Sequence, residues 1–504
     1  MPLLAVLPIL VILVLMLGLR WPASRAGQVG LAVSLVLAWG PFGESFASDV
    51  GMASATGGAM AEALFTAFTI LLIIVPALAL HQMQIASGAL GVLEGALARL
   101  TGDPRVMALL IAWFFALFME GAAGFGTSAA LAAPFLVGAG FAPVHAVVLA
   151  LVGHAAGVSF GAVGTPIVPQ IAATGFSAIE LSRATAPYHA LLGVGLALVV
   201  VALAGRARDV GDRSRTVIPA ALTAGGLFLA PYLGIAWWVG PELPTLGGAL
   251  IGGLVFVPLV RHFRPALDAG PQPEGPGAIW AGAPYLAVVG LVLATRLVPG
   301  VASGLQRVEV SWSLPGGFGA GFSPLYHPGT VLMGGLLLGW WLQRLPVGAL
   351  TGAFGRAFVQ VGPVVVALVA MLGLSRVMVH SGMIEVLAEA AAAVAGGGWP
   401  VFVPVVGALG TFITGSATAS NILFTDFQAV TARTLAMPVL PLVGAQGFGA
   451  AAGNMICPHN VIAATAVVGG SGQEGRVLVT TLWVAAGYLV AGGVVAFAAV
   501  RLLG

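Results

Sequence analysis

The residues of this sequence best equipped for chemistry lie in two short polar blocks broken by glycine. The first runs Glu120-Gly-Ala-Ala-Gly124-Phe-Gly126-Thr127-Ser128, a carboxyl, three glycines within six residues, and two hydroxyls. Each interior glycine costs a helix about 1 kcal/mol relative to alanine, so an unbroken helix is hard to hold here. A break would aim free backbone N–H groups, and the positive end of a helix beginning at Thr127, at an anion. A close contact of small residues between two helices fits the same block. The second block, Thr414-Gly-Ser-Ala-Thr418-Ala-Ser420-Asn421, holds four hydroxyls and one amide in eight residues, with no charge. Such groups can hold a carboxylate and a hydroxyl without desolvating a fixed cation; a polar contact between helices is the alternative. Gly124, Gly126, Thr127, Ser128, Thr418, Ser420 and Asn421 are therefore the binding candidates.

A third pair of motifs lies downstream of each block. Gly153-His154 followed by Gly161-Ala-Val-Gly-Thr165-Pro166 corresponds to Gln446-Gly-Phe-Gly followed by Asn454-Met-Ile-Cys457-Pro458-His459-Asn460. Proline and glycine break helices at these points and would shape a cavity from its other side. Ionisable groups inside apolar spans are costly and mark functional sites by default. Histidine titrates near neutral pH, and a carboxyl withdrawn from water holds its proton more readily. Glu120, His154, Asp426 and His459 are thus candidates to carry a coupled proton. Competing readings stand beside them: an interfacial Glu120, a locally paired Asp426, a structural His154. Arg376 is either a counter-ion for the substrate or a side chain reaching the nearby interface.

These blocks are set in a sequence built for lipid. Of 504 residues, 59% are hydrophobic and 7% are charged, and the mean hydropathy is +1.06. A soluble domain carries about 25% charged residues, so this chain cannot cover itself with a wet surface. Apolar tracts recur near 2–19, 26–42, 63–82, 105–121, 127–141, 143–163, 185–204 and 216–239. They continue near 243–260, 278–298, 328–342, 358–379, 399–414, 418–432, 436–455 and 476–500. The expected fold is an all-α polytopic membrane domain of about 12–16 segments, with 127–141 and 418–432 short enough to be re-entrant. The N-terminal tract reads as a retained first span rather than a removed signal peptide. Arginine-bearing loops, from Arg20 and Arg25 through Arg206 and Arg208 to Arg344 and Arg356, place the N-terminus outside.

The two blocks are also related to each other. A shift of 291 places Gly124 on Gly415, Thr127 on Thr418, Gly153 on Gly444, and Ile171–Thr174 on Ile462–Thr465. A shift of 294 matches Ser87-Gly88 to Ser381-Gly382, and sets Gln82 on Arg376. An odd number of segments separates the copies, so they should run in opposite senses through the membrane. The reading is an N-terminal repeat over 26–205, connecting spans over 206–300, and an inverted C-terminal repeat over 317–504. Inverted repeats with glycine-interrupted helices are the architecture of secondary transporters, with substrate where the copies meet.

Glu120-Gly-Ala-Ala-Gly-Phe-Gly-Thr, the Ala-Ala-Pro-Phe-Leu-Val tract ending at Val137, Thr414-Gly-Ser…Ser420-Asn421 and Asn454-Met-Ile-Cys-Pro-His-Asn460 resemble the bacterial L-lactate permease family. The resemblance covers essentially the whole chain. It implies a multi-pass plasma-membrane symporter (the bacterial inner membrane) moving a small organic anion, lactate and often glycolate, with a proton. It also implies scaffold and transport domains with paired hairpin tips, frequently in a homodimer. The sequence departs from the family at Ala417, where a polar residue is usual, and at Arg376, where an uncharged one is expected. A sodium-coupled or dicarboxylate carrier of the same fold remains the alternative, since hydroxyl and carbonyl oxygens also suit sodium. An enzyme is disfavoured, because no Ser/His/Asp spacing or metal cluster is present in the sequence, and no catalytic residue or cofactor is assigned. A net charge of +2 without a basic, aromatic-rich cluster argues against nucleic acid. The single cysteine, Cys457, excludes an intrachain disulfide.

Overall fold

The computed structural model describes residues 1–15, 19, 21–46, 50–92, 100–101, 103–124, 127–208, 214–263, 277–470 and 473–503. Among them, ten helices are long and apolar enough to cross a membrane. Hydrocarbon offers the backbone no hydrogen-bond partner, so an apolar chain of this kind must satisfy its N–H and C=O groups within helices. The all-α expectation holds, and the chain is a multi-pass membrane protein.

A similar order of elements appears in both halves of the chain among the described residues. Its first occurrence comprises α1 (Ala23–Trp39), α2 (Met52–Ala86), the arm α3 (Pro104–Ala122) and its return α4 (Thr127–Gly138). A broken helix follows, α5 (Pro143–Gly153) and α6 (Val168–Thr174), and then α7 (Ala178–Ala207). Helices α8 (Ser214–Trp238), α9 (Pro244–Phe263) and α10 (Ala278–Leu297) lead to a hairpin of β1 (Val310–Leu314) and β2 (Phe318–Phe322). After α11 (Pro328–Leu342) the order returns: a long α12 (Val347–His380), a short α13 (Met383–Ala395), and the arms α14 (Trp399–Thr414) and α15 (Ala417–Thr434). A second broken helix, α16 (Val439–Gly453) with α17 (Pro458–Val467), precedes the closing α18 (Glu474–Leu503). The short tracts near 127–141 and 418–432 are thus the return arms of two helical hairpins.

Local chemistry sets the boundaries. The Asp103 carboxylate accepts the Arg105 backbone N–H at 2.9 Å and pairs with its guanidinium at 3.1 Å, capping α3 just before Pro104. Ser177 and Glu180 form a reciprocal capping box at the start of α7. Gly124 (φ +58°) and Gly415 (φ +79°) end the outgoing arms in the left-handed region. Midway along α3, Leu109–Phe115 widens into a π-helical stretch, a feature frequent near functional sites.

The hydrophobicity pattern assigns no element between 299 and 327, yet β1 and β2 pair there in antiparallel register, Leu314 opposite Phe318. Gly316 and Gly317, both at positive φ, make the turn possible. The hairpin is anchored on α2, where Glu62 accepts the Gly319 N–H at 3.1 Å and Phe65 meets Trp312 and Phe322 edge-on.

Two apolar cores result. The first is built on Trp113, Phe160, Phe228, Phe256 and Phe448, and holds α3–α9 together with α14–α18. The second is built on Ile70, Ile73, Met83, Leu336, Leu374 and Met378, and joins α1, α2 and α10–α13. In the second core, α2 and α12 pack along one another; at 35 and 34 residues each runs about 50 Å, longer than a hydrocarbon core of roughly 30 Å. Helix α3, which leads to the first polar break, is enclosed: 94% of its most apolar 18-residue stretch is buried, against 33% for α7 and for α10. Ala122, Val163, Ile413 and Ala419, which flank the two hairpin tips, belong to the second core although their helices continue into the first. The tips therefore sit on the boundary between the two bodies.

Candidate functional site at the hairpin tips

The two glycine-broken blocks meet at one small cavity. Glu120 from α3, Thr165 and Ala162 from the stretch between α5 and α6, Gly415, Ser416 and Thr418 from the second tip, and Asn454 beyond α16 line it. Its volume of about 20 Å³ is room for roughly one water molecule, so the site is nearly closed.

The first tip is built around the carboxyl. Glu120 is buried, and its Oε2 accepts the Ser128 hydroxyl at 2.6 Å, tying α3 to α4. Gly161 approaches Oε1 so closely that a Cβ there would overlap it. A Cβ at Gly124 would come within 2.9 Å of the Ala162 Cβ. Ala162 (φ +42°) and Val163 (φ +53°) are consecutive non-glycine residues in the left-handed region. Each stores about 1–3 kcal/mol of strain, which persists only where the surroundings over-determine the backbone. The strained pair abuts both Glu120 and Gly124, which is where a functional constraint would place it.

The second tip is neutral. Thr414 donates to the Gly410 carbonyl at 2.8 Å, and Ser416 caps α15. The Thr418 hydroxyl makes no hydrogen bond among the described residues and lines the cavity. Ser420 and Asn421 do not line it. Ser420 donates to the Gly407 carbonyl at 2.7 Å, and Asn421 donates to the Pro166 carbonyl at 2.9 Å. Behind them runs an amide ladder: Gln446 donates to both Ser420 and Asn421, Gln428 to Gln446, and Trp399 to Gln428. These two residues hold the hairpin in place, and Asn421 reaches across to the first broken helix.

His154 lies at the break of α5. Its Nδ1 is 2.7 Å from the Ala150 carbonyl and its Nε2 is 3.0 Å from Asn454 Oδ1, and the ring interacts electrostatically with Glu120. His459 is exposed, beside Gly415. Arg376 and Asp426 stand apart from the cavity and occupy each other, at 2.5 Å, across the α12–α15 contact. Gly126 lies outside the described residues, as does the side chain of Thr127. Of the candidates, Glu120 and Thr418 line the cavity, while Ser128, His154 and Gly124 adjoin it through Glu120, Asn454 and Ala162 respectively.

The motifs expected to shape the cavity from its other side contribute Thr165 and Asn454 to its lining, whereas His189 stands outside every motif. This second buried histidine bridges Ser159 and Tyr488 at 2.8 Å on each side. Asn454 is an amide that follows a run of glycine and alanine at the buried end of α16. His189 is satisfied on both nitrogens by hydroxyls, and it joins α7 to α18 within the first core.

Residues 2–269 and 313–503 match the sequence profile of the L-lactate permease family. An L-lactate permease of Streptococcus iniae is 30% identical over 442 residues, covering 86% of this chain and 91% of that protein. The glycolate permease GlcA of Escherichia coli is 28% identical over 518 residues, covering 94% and 90%. An L-lactate permease of Bacillus subtilis is 27% identical, covering 90% and 88%. The crystal structure of the Alcanivorax borkumensis YdaH transporter superposes with a TM-score of 0.53 at 16% identity, covering 94% of this chain and 98% of that one. That likeness concerns the fold.

Proposed function

The chain belongs to the L-lactate permease family, and from that premise we propose that it is a proton-coupled carrier of small monocarboxylates, lactate and glycolate, across the membrane. Its relatives are permeases and not enzymes, and in bacteria such a multi-pass protein belongs to the inner membrane. The observation that carries the coupling is the charge of the cavity. Glu120 is the one ionisable side chain among the described lining residues, and no cation lines the cavity beside it. A substrate carboxylate 4 Å from an uncompensated Glu120 would be repelled by roughly 4 kcal/mol at an effective dielectric of 20. A proton held by the Glu120–His154 pair removes that repulsion, so anion and proton enter together.

The remaining lining suits a short hydroxy-acid. Thr418, Thr165 and Ser416 offer hydroxyls, and Asn454 offers an amide, without a second charge that a dicarboxylate would need. Lactate has six non-hydrogen atoms and cannot enter a cavity that holds one water, so the site has to open. The boundary between the two cores is the place for that movement, with the hairpins riding on the first body. The repeated order of elements supports two inverted copies, over 26–205 and 317–504, whose tips face each other across one anion site.

A competition series tests the reading. Small mono- and dicarboxylates are set against labelled lactate uptake at two pH values. The expected result is inhibition by lactate and glycolate that strengthens at the lower pH, with succinate weak. Inhibition led by a dicarboxylate, or indifferent to pH, would refute it.

A further inference from the structure

Asn454 sits between the proton and the cavity. His154 Nδ1 faces the Ala150 backbone carbonyl at 2.7 Å, an acceptor only, so Nδ1 carries a proton and donates. His154 Nε2 faces Asn454 Oδ1 at 3.0 Å, also an acceptor. Both nitrogens meet oxygen, which is the environment of an imidazolium. The orientation of the Asn454 amide is set by Asn460, whose Nδ2 lies 2.8 Å from Asn454 Oδ1 and 3.5 Å from the Asn454 backbone carbonyl. A group shared between those two atoms has to be a donor, so Asn460 holds Oδ1 toward itself and toward His154. Asn454 Nδ2 makes no hydrogen bond among the described residues, and Asn454 lines the cavity.

We propose that the Asn454 carboxamide is the element that makes anion binding depend on the proton: it presents N–H to the cavity when His154 is doubly protonated and turns its oxygen there when Nε2 loses the proton. This rests on the proton-coupled reading above. With Nε2 protonated, Oδ1 accepts from His154 and Asn460, and Nδ2 is free to donate to a substrate carboxylate. Once Nε2 is bare it becomes an acceptor, and the amide satisfies it only by rotating half a turn. The oxygen then faces the cavity and repels the same carboxylate. Asn460 opposes the rotation, because its NH2 would meet the Asn454 NH2, and so favours the binding orientation. While the anion is bound the proton stays on Nε2; no transfer to the substrate is required.

The charged surroundings of His154 are few. On α3 the facing group is Glu120, whose Oε2 accepts from Ser128 and which balances the imidazolium. The return arm α4, the π-helical stretch of α3 and the Asn454–Ile456 turn bring no ionisable side chain. On α7 and α18, His189 and Tyr488 are engaged with each other, while Glu180, Arg183, Arg206, Glu474, Arg476 and Arg501 lie in the helix end regions. On α17 the candidate is His459, exposed beside Gly415.

The test uses the full-length protein in nanodiscs with L-lactate as probe. Calorimetric titrations from pH 6 to 8, in two buffers of different ionisation enthalpy, count the protons taken up per anion bound. For the unaltered protein the account expects uptake that rises with pH and affinity that falls. For Asn454→Ala it expects affinity about tenfold weaker at pH 6, the loss of one hydrogen bond to a charged group, and a proton count less than half as large. For Asn460→Ala, which keeps Asn454 but removes its restraint, the pH at which affinity is half lost should move down. Thermal unfolding of each variant establishes that it is folded. A proton count unchanged in Asn454→Ala, or a midpoint unmoved in Asn460→Ala, would overturn the switch while leaving proton coupling intact. If the unaltered protein takes up no proton with lactate, the coupled reading fails and the switch fails with it.

Discussion

The two hairpin tips share a backbone device and differ in chemistry. Each ends its outgoing arm at a glycine in the left-handed region, Gly124 or Gly415, and each contributes residues to one cavity. The first tip brings a carboxyl, closed by Ser128 and pressed against a strained Ala162–Val163 turn. The second brings hydroxyls and is braced from behind by neutral amides. Charge and strain are concentrated at one tip, adaptable hydrogen bonding at the other. A carrier of anions gains from this division, because the group that takes part in coupling stays fixed while the group that lines and seals the site can rearrange without moving a charge.

The largest effect is expected at the charged tip. Glu120→Gln should lower net lactate uptake by at least about a hundredfold, while counterflow exchange, which needs no net proton movement, persists. Equal loss in both assays would make Glu120 structural. The next comparison is between the two glycines. Both Gly124→Ala and Gly415→Ala force alanine into the left-handed region, a cost of about 1–2 kcal/mol each. Only at Gly124 would the new Cβ also press on a neighbour's backbone, at 3.0 Å from Ala162 N; at Gly415 the nearest atom is the His459 Cβ at 3.4 Å. Gly124→Ala should therefore reduce thermal stability and transport more than Gly415→Ala. The reverse order would break the assignment of strain to the first tip.

Smaller effects separate bracing from lining within the second tip. Asn421→Ala strands the Pro166 carbonyl and one hydrogen bond from Gln446, so stability should fall by about 2 kcal/mol with affinity little changed. Thr418→Val removes a hydroxyl from the cavity without touching the ladder, so affinity should fall roughly fivefold, about 1 kcal/mol, with stability unchanged. Binding and unfolding measurements on the two variants give opposite patterns if the division is right.

Most of this was legible in the residues, for identifiable reasons. Clustered hydroxyls beside a carboxyl or an amide stand out in an apolar sequence, so Glu120–Ser128 and Thr414–Asn421 are conspicuous, and their spacing pairs them. Direction was not legible. Successive helical residues are about 100° apart, so Thr418 can face a cavity while Ser420 and Asn421 face the helices behind it. Partners distant in the chain were equally hidden: Arg376 with Asp426, and His380 with Glu62 across 318 positions. Arg376, which reads either as a substrate counter-ion or as a side chain reaching the interface, is paired with an acid on a neighbouring helix. The β-hairpin at Val310–Phe322 was missed because its strands are short and its Gly-Gly turn is common in so glycine-rich a chain. Asn454 stands within a motif legible in the sequence, but the ring it meets lies 300 positions away.

The central claim is that a proton enters with the anion. The direct measurement is uptake of labelled L-lactate by proteoliposomes under an imposed inward proton gradient, with the sodium gradient set to zero and then reversed. The account predicts accumulation that collapses when a protonophore is added and does not respond to sodium. Accumulation that follows the sodium gradient and ignores pH would contradict it.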